Sequence, residues 1–543
     1  MWREHVTRGT QMLRWRNGHL FTLLCAGSRV ASSRPPLIFL SRGDETSVHA
    51  ASVRLPLVGR AHWPESAYRR DELPERVLQF GTGMLLRALC AASVDAANRA
   101  GAFQGRIVVV QSTPHGSARA LNAQDGLFTL VERGLLDGAP IERSRLIGAV
   151  SRALVAATEW QAVRATVAQP ELQVIVSNVT EAGFRLEAGF PARLVDVLHA
   201  RFERLPDGPP LYVIPTELVP DNGPRLAAMI DRLASPCGER FRAWLASHVH
   251  FCSSLVDRIT TGSPPPETRT ALDAQLGYSD ELLTVTEPYA LWAIEGGPAL
   301  RAAFPIDVAP DAVVFASEIG MYRERKLRLL NGAHTALAPL ALLAGVATVR
   351  EAAEHPRLGP FLGRTLFQEL VPATAIPRVQ ARAFAASVLE RFRNPWLEHE
   401  WRVIATNQTM KMRVRVAPAI ERFVQQEQRV PQGLALACAA HLRYLRPVSE
   451  GAPPGSAPHG RWRGHTYPIN DADLPLVARH WLAMDVDHAS GPLPRDTLER
   501  LTARALADEA LWGSSLARLP GFLEATTQAL ARLEHESVEA TLG

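Results

Sequence analysis

Of the 59 basic residues in this 543-residue chain, only Lys326 and Lys411 are lysines. Lys326 stands in Lys326-Leu327-Arg328-Leu329-Leu330-Asn331-Gly332-Ala333-His334, a polar triplet set into an apolar stretch. Arginine keeps its proton at any physiological pH, whereas a partly desolvated lysine can release one. A position that shuttles a proton can therefore use lysine and not arginine. On a regular α-helix, at about 100° per residue, Lys326, His334 and Asn331 share one side within an arc of about 140°. Taken singly, a histidine there is usually a packed core residue, an asparagine is usually a cap, and two lysines can survive by drift. Together they point to proton transfer, and the chemistry suits carbonyl reduction. Hydride arriving at a carbonyl carbon leaves negative charge on oxygen; Asn331 can donate a hydrogen bond to it, and Lys326 can give it a proton. His334 can polarise the same oxygen or orient the lysine. Apolar neighbours and the charges of Arg325 and Arg328 predict a lysine pKa below its usual value. Gly332, at about 1 kcal/mol cost relative to alanine in mid-helix, suggests that another backbone or a cofactor comes close.

The elements that must position this triplet are legible in outline. Arg76–Phe80 reads as a buried strand, Gly81-Thr82-Gly83 follows it, and a helical pattern runs from Met84 to about Arg99. Arg106–Gln111, Leu172–Ser177 and Leu211–Ile214 read as further core strands, with helices between them such as Pro191 to Arg204. This alternation predicts an α/β, Rossmann-like domain with a parallel sheet over residues 72–285. Gly81-x-Gly83 between strand and helix lets backbone approach a pyrophosphate. The third glycine of the usual fingerprint is absent, its place taken by Leu86, and Gln111 stands where an acid often binds a ribose, so dinucleotide choice stays open. From about Glu287 the strand signal fades. Long helices, among them Arg323–Leu343, Arg378–Arg391, Gln432–Tyr444 and Pro520–Glu534, predict an all-α C-terminal domain over 286–543, and Pro447 to Gly460 reads as an exposed loop.

Bulk composition excludes several classes. No apolar run is long enough to span a membrane. The five cysteines are odd in number, scattered, and form no C-x-x-C pair, which suggests neither a disulfide framework nor a zinc site and fits a reducing compartment, the cytoplasm. The net charge of +4 is uneven: the first 60 residues hold nine arginines against Glu4, Asp44 and Glu45, and the remainder is close to neutral. The body gives no argument for nucleic acid. Residues 1–65 read as a disordered basic extension, with a targeting segment or a functional arm as the alternatives.

The triplet Lys326, Asn331 and His334 resembles the K-x4-N-x2-H signature of the polyol-specific long-chain dehydrogenases, the mannitol dehydrogenase family. The likeness runs from about Leu73 to near the C-terminus. It is carried also by Leu78–Gly83, Gln124-Asp125-Gly126-Leu127, Ser177-Asn178-Val179-Thr180-Glu181-Ala182-Gly183, Phe251–Ile259 and Arg391-Phe392-Arg393-Asn394-Pro395. Within the family the chain is most similar to the uronate reductases. The resemblance implies an NAD-dependent enzyme whose site lies between a Rossmann-like and a helical domain, reducing D-tagaturonate to D-altronate. Lys326 would be the general acid/base. Asn331 would stabilise the oxyanion with a second asparagine, Asn222 first and Asn178 in reserve. Phe80, Gly81, Gly83, Gln111, Asn178 and Glu181 would hold the cofactor. No metal is implied, and Lys411 falls at a family lysine position. Alternatives within the family are fructuronate/mannonate and mannitol/fructose; outside it, a nucleic-acid binder acting through the arginine-rich tail. A sugar-acid substrate needs a cation, for which Arg258, Arg391 and Arg325 are candidates. Oligomeric state is left open, a monomer being compatible.

Overall fold

The computed structural model describes residues 6–7, 10–11, 55–180, 183, 189–262, 264–309, 312–448, 458–484 and 492–542. The chain divides into two units, Met1–Arg54 and Leu55–Gly543. In the first, Val6–Thr7 pairs antiparallel with Thr10–Gln11; its other residues, and with them most of the expected disordered extension, lie outside the described residues. The second unit begins earlier than expected. Val58 is buried and its N–H donates to the Ser279 carbonyl at 2.8 Å, so residues 55–65 belong to the fold.

The strands follow in the order β1 (Glu75–Phe80), β2 (Arg106–Gln111), β3 (Phe128–Leu136), β4 (Ala139–Ile147), β5 (Val150–Val155), β6 (Val174–Ser177), β7 (Leu211–Pro215), β8 (Val249–Phe251), β9 (Ser254–Asp257), β10 (Thr284–Thr286), β11 (Leu291–Glu295) and β12 (Val313–Ala316). Six of them form one parallel sheet in the order β8-β7-β6-β1-β2-β5. Its central strands are apolar on both faces. Val77, Ile107, Val109, Val174 and Val176 enter one core, and Leu78, Phe80, Val108, Val110 and Ile175 enter the other. Strand residues point alternately to opposite faces, so a sheet buried on both sides demands unbroken hydrophobic runs. The chain leaves β1 toward β2 and β5, then returns to the opposite side of β1 as β6. The crevice at the carboxyl ends of β1 and β6 is thus the topological switch point where open α/β sheets take ligands.

Two small sheets flank this one, β10-β3-β4 and β9-β11-β12. The β3–β4 hairpin turns through Asp137 and Gly138, both at positive φ (52° and 76°), the pairing that matches strand twist. The boundary expected at 285/286 falls inside β10. Strands continue to Ala316: β11 and β12 are short apolar runs that carry little periodicity and gain their identity by pairing, β11 with β9 and β12 with β11.

Beyond Gly320 the fold is helical. Helix α2 runs from Gly320–Arg325 through a π-turn at Lys326–Asn331 into Gly332–Leu343; α1 is the corresponding run after the glycine turn, Met84–Leu86, the π-turn Arg87–Ala91 and Ala92–Arg99. Helix α3 is Arg378–Phe392, and α4 runs from Gln408–Lys411 through the π-turn Met412–Val416 into Ala417–Glu427. The expected helix at 432–444 is present as Gln432–Tyr444. The half is not wholly helical: Pro447–Val448, His459–Trp462 and His465–Pro468 form a small antiparallel sheet, so the ends of the expected loop are paired strands. Most of that loop lies outside the described residues.

Candidate active site

The glycine turn is built for close approach. Gly81 has φ +123°, and a Cβ there would sit 2.9 Å from the Asn178 carbonyl oxygen. Only glycine fits where the ends of β1 and β6 touch. Gly83 is exposed, and a Cβ on it would meet nothing within 4 Å. The buried hydroxyl of Ser112, just past β2, has no partner among the described residues. Open backbone at a helix start plus an unsatisfied hydroxyl fits the phosphate and ribose of a dinucleotide.

Two residues expected in that cradle are used otherwise. The Phe80 side chain is fully buried and packs on Phe190, with ring centroids 5.0 Å apart; only its backbone reaches the crevice, accepting from Asn178 N–H at 3.0 Å. Gln111 spends its amide on the following loop, donating to the Thr113 carbonyl at 3.0 Å and accepting from Ala118 N–H at 3.0 Å. Glu181 lies outside the described residues. Asn178, just past β6, donates to Thr216 Oγ1, just past β7, at 3.0 Å. One cation went unanticipated: Arg193, from the helix Phe190–Arg204, donates to the Ser112 carbonyl at 3.1 Å.

Asn222 is a structural clamp in this arrangement. Its amide nitrogen is 3.0 Å from the carbonyls of Pro215, Glu217 and Ser254, and its Oδ1 accepts from Gly223 N–H and Ser254 N–H. Two hydrogens facing three carbonyls leave none for a substrate oxygen. The clamp instead ties the end of β7 to β9, and β9 carries the lysine's partners. Arg323 of α2 adds a second stitch, 2.9 Å from Asp221.

Lys326 is therefore held at the carboxyl edge of the parallel sheet. Its side chain is 14% exposed, its Nζ donates to the Val256 carbonyl at 2.7 Å, and Asp257 Oδ1 is 3.7 Å away. Burial lowers the lysine pKa below its ordinary value; Asp257 opposes this, while the charges of Arg391 and Arg415 reinforce it. The segment is wound as a π-turn, whose i→i+5 hydrogen bonds bring residues five apart nearly above one another. Lys326 and Asn331, well apart on a regular helix, thus approach a common face. Among the described residues no group hydrogen-bonds the Asn331 amide; its carbonyl accepts from Thr335 Oγ1 at 2.7 Å. Gly332 is not the site of a close approach: a Cβ there would find its nearest atom at 3.6 Å, ordinary contact.

His334 is buried, stacked on Phe392 at 4.1 Å and edge-on to His399 and Trp401. Its Nε2 has no partner among the described residues. Burial first, then the nearby cationic side chains, hold its pKa well below the usual value, so it is a neutral imidazole.

Two of the three arginines expected to meet a substrate are spent. Arg391 of α3 makes paired contacts with Asp257 (3.0 and 3.0 Å) and Glu287 (2.9 and 2.8 Å) and lies over the Tyr289 ring. Arg258 is buried against Glu132 and the Ala88 and Glu287 carbonyls. Both fasten the sheet-bearing half to itself or to the helices. Arg325 lies between the Tyr322 and Phe384 rings, at 4.8 and 4.9 Å. It faces a cavity of about 750 Å³ whose walls include Asp137, Glu287 and Glu390 but none of Lys326, Asn331 and His334. Two groups beside the triplet were not assigned from sequence. Lys411 donates to the Ile404 carbonyl at 2.8 Å and is pushed by burial to a pKa of about 8; its rarity was the available signal. Arg415, one arginine among many, gave none. Among the described residues no group of three or more His, Cys, Asp and Glu is arranged to hold a metal, and no helix is long and apolar enough to cross a membrane.

A parallel sheet with a glycine turn at its switch point, together with a largely enclosed lysine against β9 and an uncommitted amide on the same π-turn, belongs to an oxidoreductase acting on CH–OH groups. The chain belongs to the mannitol dehydrogenase family: residues 75–307 match the mannitol dehydrogenase Rossmann domain and residues 318–457 the mannitol dehydrogenase C-terminal domain. It is 37% identical to an altronate oxidoreductase of Halalkalibacterium halodurans over 464 residues, covering 83% of this chain and 89% of that one. It is 34% identical to an altronate oxidoreductase of Klebsiella pneumoniae over 84% of this chain and 95% of that one. The fold is shared with Pseudomonas fluorescens mannitol 2-dehydrogenase, solved with NAD and D-mannitol (24% identity, TM-score 0.65, 89% of this chain and 98% of that one). It is shared also with a D-sorbitol dehydrogenase (20% identity, TM-score 0.72, 90% and 100%).

Proposed function

We propose that this chain reduces D-tagaturonate to D-altronate with NADH, in the cytoplasm, using Lys326 as the proton donor. The observation that carries the reading is an amine-bearing side chain enclosed at the sheet's carboxyl edge, 3.7 Å from one carboxylate and beside cations that favour its neutral form. The names of the relatives support the substrate class.

Gly81, Gly83, Ser112 and Asn178 would hold the dinucleotide, which when bound supplies the hydride. Protonated Lys326 gives its proton to the ketone oxygen as that oxygen takes up charge: an O–H bond forms and an N–H bond breaks. The Asn331 amide donates a hydrogen bond to the same oxygen, worth more in an enclosed site than in water. Neutral His334 adds no charge to compete for the oxygen. The amine left behind is tolerated because burial disfavours the ammonium form, and Asp257 favours its return before the next turnover. In the oxidative direction the same residues run in reverse.

Initial rates of the purified protein with D-tagaturonate, D-fructuronate and D-fructose, each with NADH and NADPH, test this reading. A kcat/KM highest for tagaturonate with NADH is expected. Preference for fructuronate moves the assignment to that epimer, preference for fructose ends the uronate reading, and preference for NADPH assigns Arg193 to a 2′-phosphate.

A further inference from the structure

A keto-uronate carries a full negative charge at the end of the carbon chain away from its ketone, yet Arg258 and Arg391 are spent on the protein's own acids and Arg325 faces a different, acid-lined cavity. We propose that Arg415 is the residue that takes the substrate's carboxylate and so selects sugar acids over neutral ketoses. This rests on the keto-uronate reading above.

Arg415 lies in the π-turn Met412–Val416 of α4, packed against the π-turn of α2 that bears Lys326 and Asn331. The two turns are fastened by Arg328, whose Nη1 donates to the carbonyls of Val414 and Arg415 at 2.8 and 2.9 Å. Arg415 Nη1 in turn donates to Thr335 Oγ1 at 3.2 Å, and Thr335 Oγ1 donates to the Asn331 carbonyl at 2.7 Å. The guanidinium is thus one hydroxyl away from the residue that faces the reacting oxygen. Its charge is felt by Lys326, His334 and Lys411, which places it among the site's polar groups.

Of its hydrogen-bonding capacity, that one contact to a neutral hydroxyl is all that is used, and no carboxylate among the described residues pairs with it. Burial pushes its pKa down to about 10. A guanidinium removed from water without a counter-charge is costly. Arg415 is half-buried, and the more deeply buried arginine side chains at this junction each have acids: Arg391 has two and Arg258 has one. An anion arriving with the substrate would supply what Arg415 lacks, in the two-point geometry that suits a carboxylate. Lys411, beside it, is the rival anchor; its ammonium is already held on the Ile404 carbonyl at 2.8 Å.

The experiment compares wild type, Arg415→Gln, Arg415→Lys and Lys411→Gln on D-tagaturonate and on a neutral ketohexose, with NADH binding followed by fluorescence as a control for folding. For Arg415→Gln, KM for tagaturonate is expected to rise about 10- to 150-fold, the range for a lost charge-assisted hydrogen bond. Its kcat is expected to change less than about threefold, its rate on the neutral ketose to hold or improve, and NADH binding to persist. Arg415→Lys recovers part of the KM. If Arg415→Gln binds NADH normally and keeps its tagaturonate KM, or loses activity equally on both substrates, the assignment is wrong; a KM effect confined to Lys411→Gln transfers the role. A wild-type protein that reduces no keto-uronate overturns the functional reading itself, an outcome distinct from any of these.

Discussion

Replacing Asp257 with asparagine removes a carboxylate while keeping its shape, and its first consequence falls on Lys326. The charges are 3.7 Å apart. At an effective dielectric near 20 their attraction is roughly 4–5 kcal/mol, and at about 1.4 kcal/mol per pH unit that is about 3 units of proton affinity on the lysine. Water entering around Arg391, and Glu287 turning to serve it alone, reduce the effect to about 1–3 pH units. The sign follows from which form reacts. Reduction needs the ammonium, so its rate is present at low pH and is lost as pH rises through the lysine pKa. Loss of Asp257 lowers that pKa, and the alkaline limb of the kcat profile for ketone reduction moves to lower pH. Oxidation of the alcohol needs the free amine, so its acidic limb moves the same way. The assay is kcat against pH in both directions, on protein shown by NADH binding to be folded. Limbs that stay put or move upward would refute the coupling between this carboxylate and the catalytic proton.

Three further outcomes follow from the same geometry. Lys326→Ala and Lys326→Arg each lose about 10²–10⁴ in kcat with NADH binding retained, since a guanidinium keeps the charge but cannot release the proton; a near-normal arginine variant would exclude proton transfer by this residue. Arg391→Met leaves Asp257 and Glu287 buried without their partner and is expected to cost about 3–5 kcal/mol of stability in chemical denaturation, a loss that a merely substrate-binding arginine would not produce. Gly81→Ala drives a methyl to 2.9 Å from the Asn178 carbonyl at a φ of +123°; calorimetry should find NADH binding weakened at least tenfold, and unchanged binding would show that the turn does not hold the dinucleotide.

The residues proposed for this site stand out in the sequence. Lys326 stood out because lysine is nearly absent, and Asn331 and His334 because their spacing is helical. The parallel strands declared themselves as apolar runs ending at Gly81 and Asn178. What could not be read was how each polar group is spent. Asn222, Gln111, Arg258 and Arg391 carry side chains as suited to ligands as those of Asn331 or Arg415. They are withdrawn because other groups reach them first, from the next loop for Gln111, from near and far carbonyls for Asn222, and from carboxylates distant in sequence for Arg258 and Arg391, and that competition exists only once the chain is folded. The domain boundary failed for a related reason: β11 and β12 are too short to announce a period and become strands by pairing, β11 with β9 and β12 with β11.

Sequence alone therefore determined which residues are chemically capable and which side of each element is apolar, since both are local properties of side chains and their spacing. Tertiary structure decided which capable residues remain free. It wound Lys326–Asn331 into a π-turn that aligns amine and amide, brought Asp257 to the amine, and left Arg415 half-buried and, among the described residues, without an acid of its own. Hydrogen bonds and ion pairs saturate, and saturation is set by neighbours that only packing assembles.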